Sequence, residues 1–380
     1  MRKRNPFGVL CSLSILLCLV LVRSPAAAQE GEPDGTVRLA SDPCMTLPPE
    51  LFIGDFNGDG RSDLGILYQE DDSFHVSLSI QERFAAPGSG EWLTPGVFGN
   101  RNGQYYVGDF NGDLKSDLGF FDPADDSFHV SLSTGKGFGG KGSGQWIAPG
   151  QFGHSNGRFY VAFFNGGRKA DLGFFDQNDN SFWVSLSTGS SFGADHSGRW
   201  IAPGTFGHAG GQYHIGDFNN DGSQDLGYFE PVDNSFHVNL SDGTRFWRPG
   251  SGQWIEPGTF GHSNGRYLVG DFDGDEKADL GFFDFGNSSF YVSLSTGADF
   301  GKIGSGRWIA PNGFGHAGGL HLVGNFNGGE HGKSDLAFYE PGDNGVYVRI
   351  SSGSGFYEGH KWVSLNRCLL YLPLTFDTYK

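Results

Sequence analysis

Between residues 104 and 157 short apolar runs alternate with polar breaks: YYVGDF, DLGFFD, SFHVSLS and QWIAPGQF, separated by Gly, Asp, Asn, Ser and Pro. No stretch sustains a 3.6-residue period, so the pattern predicts four short strands and no helix. In SFHVSLS, Phe128, Val130 and Leu132 share one face, whereas His129, Ser131 and Ser133 share the other.

The same pattern recurs along the chain. Nine-residue loops open at Asp55, Asp109, Phe163, Asp217, Asp271 and Asn325, each 54 residues after the last. Trp92, Trp146, Trp200, Trp254, Trp308 and Trp362 keep the same step, and FG pairs follow the first five of them at Phe98, Phe152, Phe206, Phe260 and Phe314. A four-stranded unit of this length cannot bury both its faces alone, whereas units arranged in a ring cover one another. The expected fold is therefore all-β, a β-propeller of six four-stranded blades over residues 52–362. Segments 29–51 and 363–380 flank the repeats, and a seventh, degenerate blade built from them is the alternative.

Composition refines this picture. Glycine, 64 of 380 residues, is more than twice the average share of ~7% and fits many tight turns. Residues 1–28 read as a cleavable secretory signal: basic MRKRNP, the apolar stretch FGVLCSLSILLCLVLV, then RSPAAA. Its removal takes four basic and no acidic residues, leaving 22 basic against 43 acidic side chains and a net charge of −21. Such a surface repels phosphate backbones, which argues against nucleic acid as a partner. No later stretch has the ~20 apolar residues of a membrane span, so no membrane insertion is expected after signal cleavage. The expected location is secreted, with the periplasm or cell surface as the bacterial equivalents. Cys44 and Cys368 are the cysteines left after cleavage, one on each side of the repeats. A disulfide between them would latch a ring; two unrelated thiols are the alternative.

The loops carry the candidate chemistry. In DFNGDGRSD, Asp55, Asn57, Asp59 and Asp63 supply side-chain oxygens at positions 1, 3, 5 and 9, the carbonyl of Arg61 is available at position 7, and Gly60 permits the turn. Alternate hard oxygens around a glycine turn match a calcium loop better than a zinc or copper site. The pattern repeats in Asp109, Asn111, Asp113, Lys115 and Asp117, in Asp217, Asn219, Asp221, Ser223 and Asp225, and in Asp271, Asp273, Asp275, Lys277 and Asp279. The third unit has Phe163 and Gly167 in place of two carboxylates and keeps Asn165 and Asp171; the sixth has Asn325 and Gly329 and two extra residues before Asp335. The expectation is about four Ca²⁺ sites and two empty loops. Asx turn chemistry alone is the competing explanation.

Units such as VGDFNGDLKSDLGFF, with the recurring FG, resemble the FG-GAP type repeats of integrin α-subunit heads, of related bacterial proteins and of a fungal propeller lectin. The resemblance covers roughly residues 52–362. It implies calcium on one side of a propeller, held by the four intact sets above. The integrin and lectin propellers have seven blades, against six units here, and the family hosts very different functions.

Calcium so placed is structural, which sends the search for a ligand surface elsewhere. Trp146 with His154, Trp200 with His208, Trp254 with His262 and Trp308 with His316 recur together, and an aromatic face beside hydrogen-bonding groups suits a sugar ring. The plainer expectation is that each tryptophan packs between blades and each histidine caps a turn. His75, His129, Trp183, His237, Tyr291 and Tyr347 recur in mid-strand and are expected to pack in the core. No acid pair or nucleophile gathers outside the loops, so an extracellular glycan or protein ligand is expected rather than catalysis; a polysaccharide-acting enzyme is the lesser alternative.

Overall fold

The computed structural model describes residues 47–85, 88–329 and 332–365. Cys44, Cys368, the signal and most of both flanks lie outside the described residues. Six four-stranded antiparallel sheets follow one another, each formed by four consecutive main strands. Blade 2 shows the plan: Gln104–Gly108, Asp117–Asp122, Ser127–Ser131 and Gly144–Ile147. Blades 1, 3, 4, 5 and 6 repeat it over 50–93, 157–201, 212–255, 265–309 and 320–364. First strands of neighbouring blades meet one another at five of the six junctions, first blade to last included. Blade 6 packs directly on blade 1 in one shared core of Leu51, Ile66, Tyr68, Phe84, Tyr339, Val346 and Trp362, so six blades close the ring.

The recurring tryptophan has a specific origin. In blade 1, Phe74 pairs with Leu93 but His75 pairs with Glu91, which leaves Trp92 as the extra residue of a bulge. The other outer strands shift register at the same place. A bulge turns two successive side chains to one side, so Trp92 and Leu93 are both buried. Each of the first five indoles donates its N–H to the carbonyl four residues earlier, at 3.0 Å.

Past each third strand a phenylalanine reaches back into the preceding blade and meets that tryptophan. The pairs are Phe138 with Trp92, Phe192 with Trp146, Phe246 with Trp200, Phe300 with Trp254 and Phe356 with Trp308, with ring centroids 5.3 to 5.5 Å apart. Phe84 does the same to Trp362 at 5.2 Å across the closing junction. The FG pairs also have a packing reason. A Cβ at Gly99 (φ +72°) would lie 2.3 Å from the Tyr105 hydroxyl, and one at Gly261 (φ +69°) 2.0 Å from that of Tyr267. Both the left-handed backbone and the abutting ring therefore require glycine.

Candidate functional site

The loops joining first and second strands wrap as the sequence suggests, and their carboxylates organise the turn. Asp55 Oδ1 accepts the backbone N–H groups of Gly58 and Asp59 at 2.7 and 3.1 Å, and Oδ2 accepts that of Gly60 at 2.7 Å. Asn57 accepts from Asp59, and Asp59 from Arg61. Loops at Asp109, Asp217 and Asp271 repeat this winding. In blade 5 one oxygen each of Asp271, Asp273 and Asp275 lies within 4.8 Å of the others, close enough to share one cation. Side-chain cations already lean on several loops: Arg61 on Asp59 at 3.1 Å, Lys115 on Asp113 at 2.9 Å, and Lys302 on Asp273 at 2.8 Å and on Asp275. Arg248 bonds Asp221. The donor set is hard, partly exposed oxygen, which fits a calcium ion.

The ninth-position aspartates have an additional task. Asp63, fully buried, accepts the Phe56 N–H at 3.0 Å on one oxygen and the Ser79 N–H at 2.7 Å on the other, tying the loop to the end of the third strand. Burial pushes its carboxyl up to about 7 even though both backbone bonds pull it down. Asp117, Asp225, Asp279 and Asp335 make the same pair of bonds, and Asp171 accepts the Ser187 N–H. Asp171 and Asp335 belong to the two degenerate loops, so this knot is independent of a complete ligand set. Their survival where the other carboxylates are lost was the sequence signal for it.

The tryptophans and histidines paired by sequence lie in different surroundings. Trp146 packs against Phe110 and Phe192, whereas His154 stands over Phe174 of the next blade. Trp146, Trp200 and Trp254 are buried and Trp308 is half-buried. Each histidine caps a turn through Nδ1, which accepts a backbone N–H two residues on. Its Nε2 faces a carboxylate at the end of the next blade's second strand: His154 to Asp176 at 3.3 Å, His208 to Glu230 at 2.7 Å, His262 to Asp284 at 3.5 Å and His316 to Glu340 at 2.6 Å.

The mid-strand series lies only partly in its expected place in the core, against which Tyr291 and Tyr347 pack while half-buried. Phe74 and Val76 are buried while His75 between them is half-exposed, and the pattern holds through His129, His237, Tyr291 and Tyr347, with Trp183 the most exposed at 36%. Alternation along the strand turns these residues toward the preceding blade, where the second, third and outer strands form a cross-strand row. Register sets Phe120 beside His129 and Gln145, Phe174 beside Trp183 and Arg199, and Tyr228 beside His237 and Gln253. Blades diverge from the axis, so the outer part of that face stays open. The result is a partly exposed row at each junction, an aromatic or imidazole beside a polar chain, headed by the histidine–carboxylate pair at four of them. Arg199 lies 5.8 Å from the Trp183 ring centroid.

Comparison with protein families and with curated proteins finds no match. Among solved structures the chain is similar to a lectin of Agrocybe aegerita, solved for its specific recognition of non-reducing terminal N-acetylglucosamine. Identity is 16% and the TM-score 0.55, over 84% of this chain and 81% of that one. It is also similar to part of the Photorhabdus luminescens Tc holotoxin pore, at 14% identity and a TM-score of 0.52, over 79% of this chain and 15% of that chain. At these identities the likeness is one of fold. Among the described residues no helix is long and apolar enough to cross a membrane.

Proposed function

We propose that this is a secreted, calcium-stabilised propeller that binds glycans along the junctions between its blades and carries out no reaction on them. The observation that carries the reading is the repeated, partly exposed cross-strand row. A half-exposed ring, His75, His129, Trp183, His237, Tyr291 or Tyr347, stands beside a cross-strand polar residue, Glu91, Gln145, Arg199, Gln253, Arg307 or Lys361. A pyranose offers an apolar face to such a ring and hydroxyls to its neighbours. Several weak sites around one ring would act together on a surface bearing many glycans. A lectin sharing the fold makes the assignment compatible with the architecture. Calcium in the four intact loops would neutralise carboxylates that otherwise repel one another.

The test is a glycan array probed with the purified protein, followed by Trp183→Ala and His237→Ala variants. Binding to a defined glycan class that weakens in both variants is expected. An array with no positive glycan, together with specific capture of one protein, would replace this reading with protein recognition; release of reducing sugar from a bound polysaccharide would replace it with catalysis.

A further inference from the structure

The residue that follows each inserted phenylalanine breaks the sixfold repeat. It is Ala85, Gly139, Gly193 and Gly301 after Phe84, Phe138, Phe192 and Phe300, with φ of 102, 90, 97 and 102°, and after Phe356 it is Tyr357, 63% exposed but outside the left-handed region. After Phe246 it is Trp247, which keeps the left-handed backbone at φ 79° and leaves its side chain 51% exposed. A bulky residue there is strained, by about 1–3 kcal/mol, and such strain concentrates where a binding surface needs the side chain.

Blade 4 also carries a support for it. Asn239, fully buried, stands where Ser77, Ser131, Ser185 and Ser293 end the third strands of blades 1, 2, 3 and 5. Its Oδ1 accepts the Trp247 N–H at 2.6 Å, and its Nδ2 has no partner among the described residues. The chain thus carries two local costs to hold one tryptophan at the surface.

Trp247 begins a chain of ring contacts at the junction of blades 3 and 4, in which Phe206 and His208 are half-buried and Tyr228 is buried. Its ring meets Phe206 edge to face at 5.8 Å, Phe206 meets Tyr228 at 5.9 Å, and Tyr228 meets His208 at 5.6 Å. Polar groups line the far end: Glu230 accepts from His208 at 2.7 Å and from the Tyr228 hydroxyl at 3.3 Å. His237 and Gln253 stand beside Tyr228 in the cross-strand row. Trp247 and the His208–Glu230 pair are thus joined through two intervening rings.

We infer that the blade 3–blade 4 junction is an extended subsite for an oligosaccharide of two or more pyranoses. One ring of the ligand stacks on Trp247, and another is hydrogen-bonded near Glu230 and His208. This rests on the proposed glycan-binding function and adds to it a single site, longer than the repeated rows, with a preference for chain length.

The experiment is calorimetric titration of the wild type and of Trp247→Gly with a monosaccharide positive on the array and with its di- and trisaccharide. Wild-type affinity should rise at least tenfold from mono- to trisaccharide. Trp247→Gly should lose that rise, keep monosaccharide binding, and melt at a higher temperature, because glycine adopts this backbone without strain. Trp247→Asn, which also tolerates it, should behave as the glycine variant does, and Trp247→Tyr should retain part of the gain. A chain-length dependence unchanged in the glycine and asparagine variants, or absent from the wild type, overturns the extended subsite while leaving binding at the repeated rows intact. A wild type that binds no saccharide overturns both.

Discussion

Ser62 donates its backbone N–H to the carbonyl of Asn325 at 2.7 Å, and Asn325 returns its own N–H to the Ser62 hydroxyl at 3.0 Å. The first of these bonds is the one that joins every other pair of neighbours: Ser116 to Asp55, Ala170 to Asp109, Gln224 to Phe163, Ala278 to Asp217 and Ser334 to Asp271, at 2.6 to 3.0 Å. A second bond accompanies it, from Ser79 to the Phe326 carbonyl at the closing junction and from Ser133, Ser187, Ser241, Ser295 and Ser351 at the others. Blade 6 thus meets blade 1 through the joint used everywhere else, with no strand exchanged between them among the described residues. A Cys44–Cys368 bond, as expected from sequence, would reinforce a ring that packing already closes.

Equivalence of the joints gives the first prediction. Phe84 of the closing junction is buried and Phe192 of an internal one is half-buried in the same kind of contact, so Phe84→Ala should cost about 3–5 kcal/mol and Phe192→Ala about the lower end of that range. Urea unfolding measures both. A nearly neutral Phe84→Ala beside a costly Phe192→Ala would mean that the ring opens in solution between blades 6 and 1.

Asp335 allows the knot to be separated from ion binding, because its loop lacks the other carboxylates. Asp335→Ala should leave the Phe326 and Ser351 N–H groups unpaired inside the protein and destabilise it by about 2–5 kcal/mol. The loss should be equal in calcium and in chelator. A loss seen in calcium alone would make Asp335 a ligand and remove the purely structural role.

Much of this architecture was legible in the chain. The 54-residue step of the loops and of the tryptophans determined the blade count, because each blade needs one bulge residue and one turn of that length. The opposite faces of Phe128 and His129 were also legible. Which face stays open was not, since exposure of His75 or Trp183 depends on how far the outer strands of two blades splay, a property of the ring and not of the local pattern. Similar reasoning explains Trp146 and His154. Their constant spacing reflects two packing duties at opposite edges of a blade, one in a bulge and one over the next sheet, and spacing alone cannot distinguish that from a shared pocket.

Removal of calcium should lower the melting temperature and merge no new transition into the curve, with four ions lost per chain. Each occupied loop stabilises by about 2.7 kcal/mol when free calcium is a hundred times its Kd. Asp113→Ala should release one ion. Lys302→Ala should tighten the blade 5 loop, because the ammonium now occupies Asp273 and Asp275. Metal analysis and calorimetry report both effects; a lysine variant that binds calcium more weakly would show that Lys302 shapes the site and does not compete for it.

His321, like the buried His214, makes the fold sensitive to acid. It occupies the place that Tyr105, Tyr213 and Tyr267 fill in other blades, where the hydroxyl donates to the carbonyl of Phe98, Phe206 or Phe260 at 2.9 to 3.1 Å. The imidazole is 2% exposed, lies against Phe283 and Phe338, and has no hydrogen-bond partner on either nitrogen among the described residues. Burial pushes its pKa down to about 3, against the opposing pull of the Phe314 backbone and with the help of the nearby charge of Arg266. The folded protein therefore holds it neutral where the unfolded chain, near 6.5, takes up a proton. Its contribution is complete above pH 6.5 and is lost as pH falls toward 3, by a few kcal/mol at most. His321→Tyr should regain the hydrogen bond to Phe314, raise the melting temperature at neutral pH and flatten its decline between pH 6.5 and 4. A decline as steep as that of the wild type would transfer the acid sensitivity to other groups.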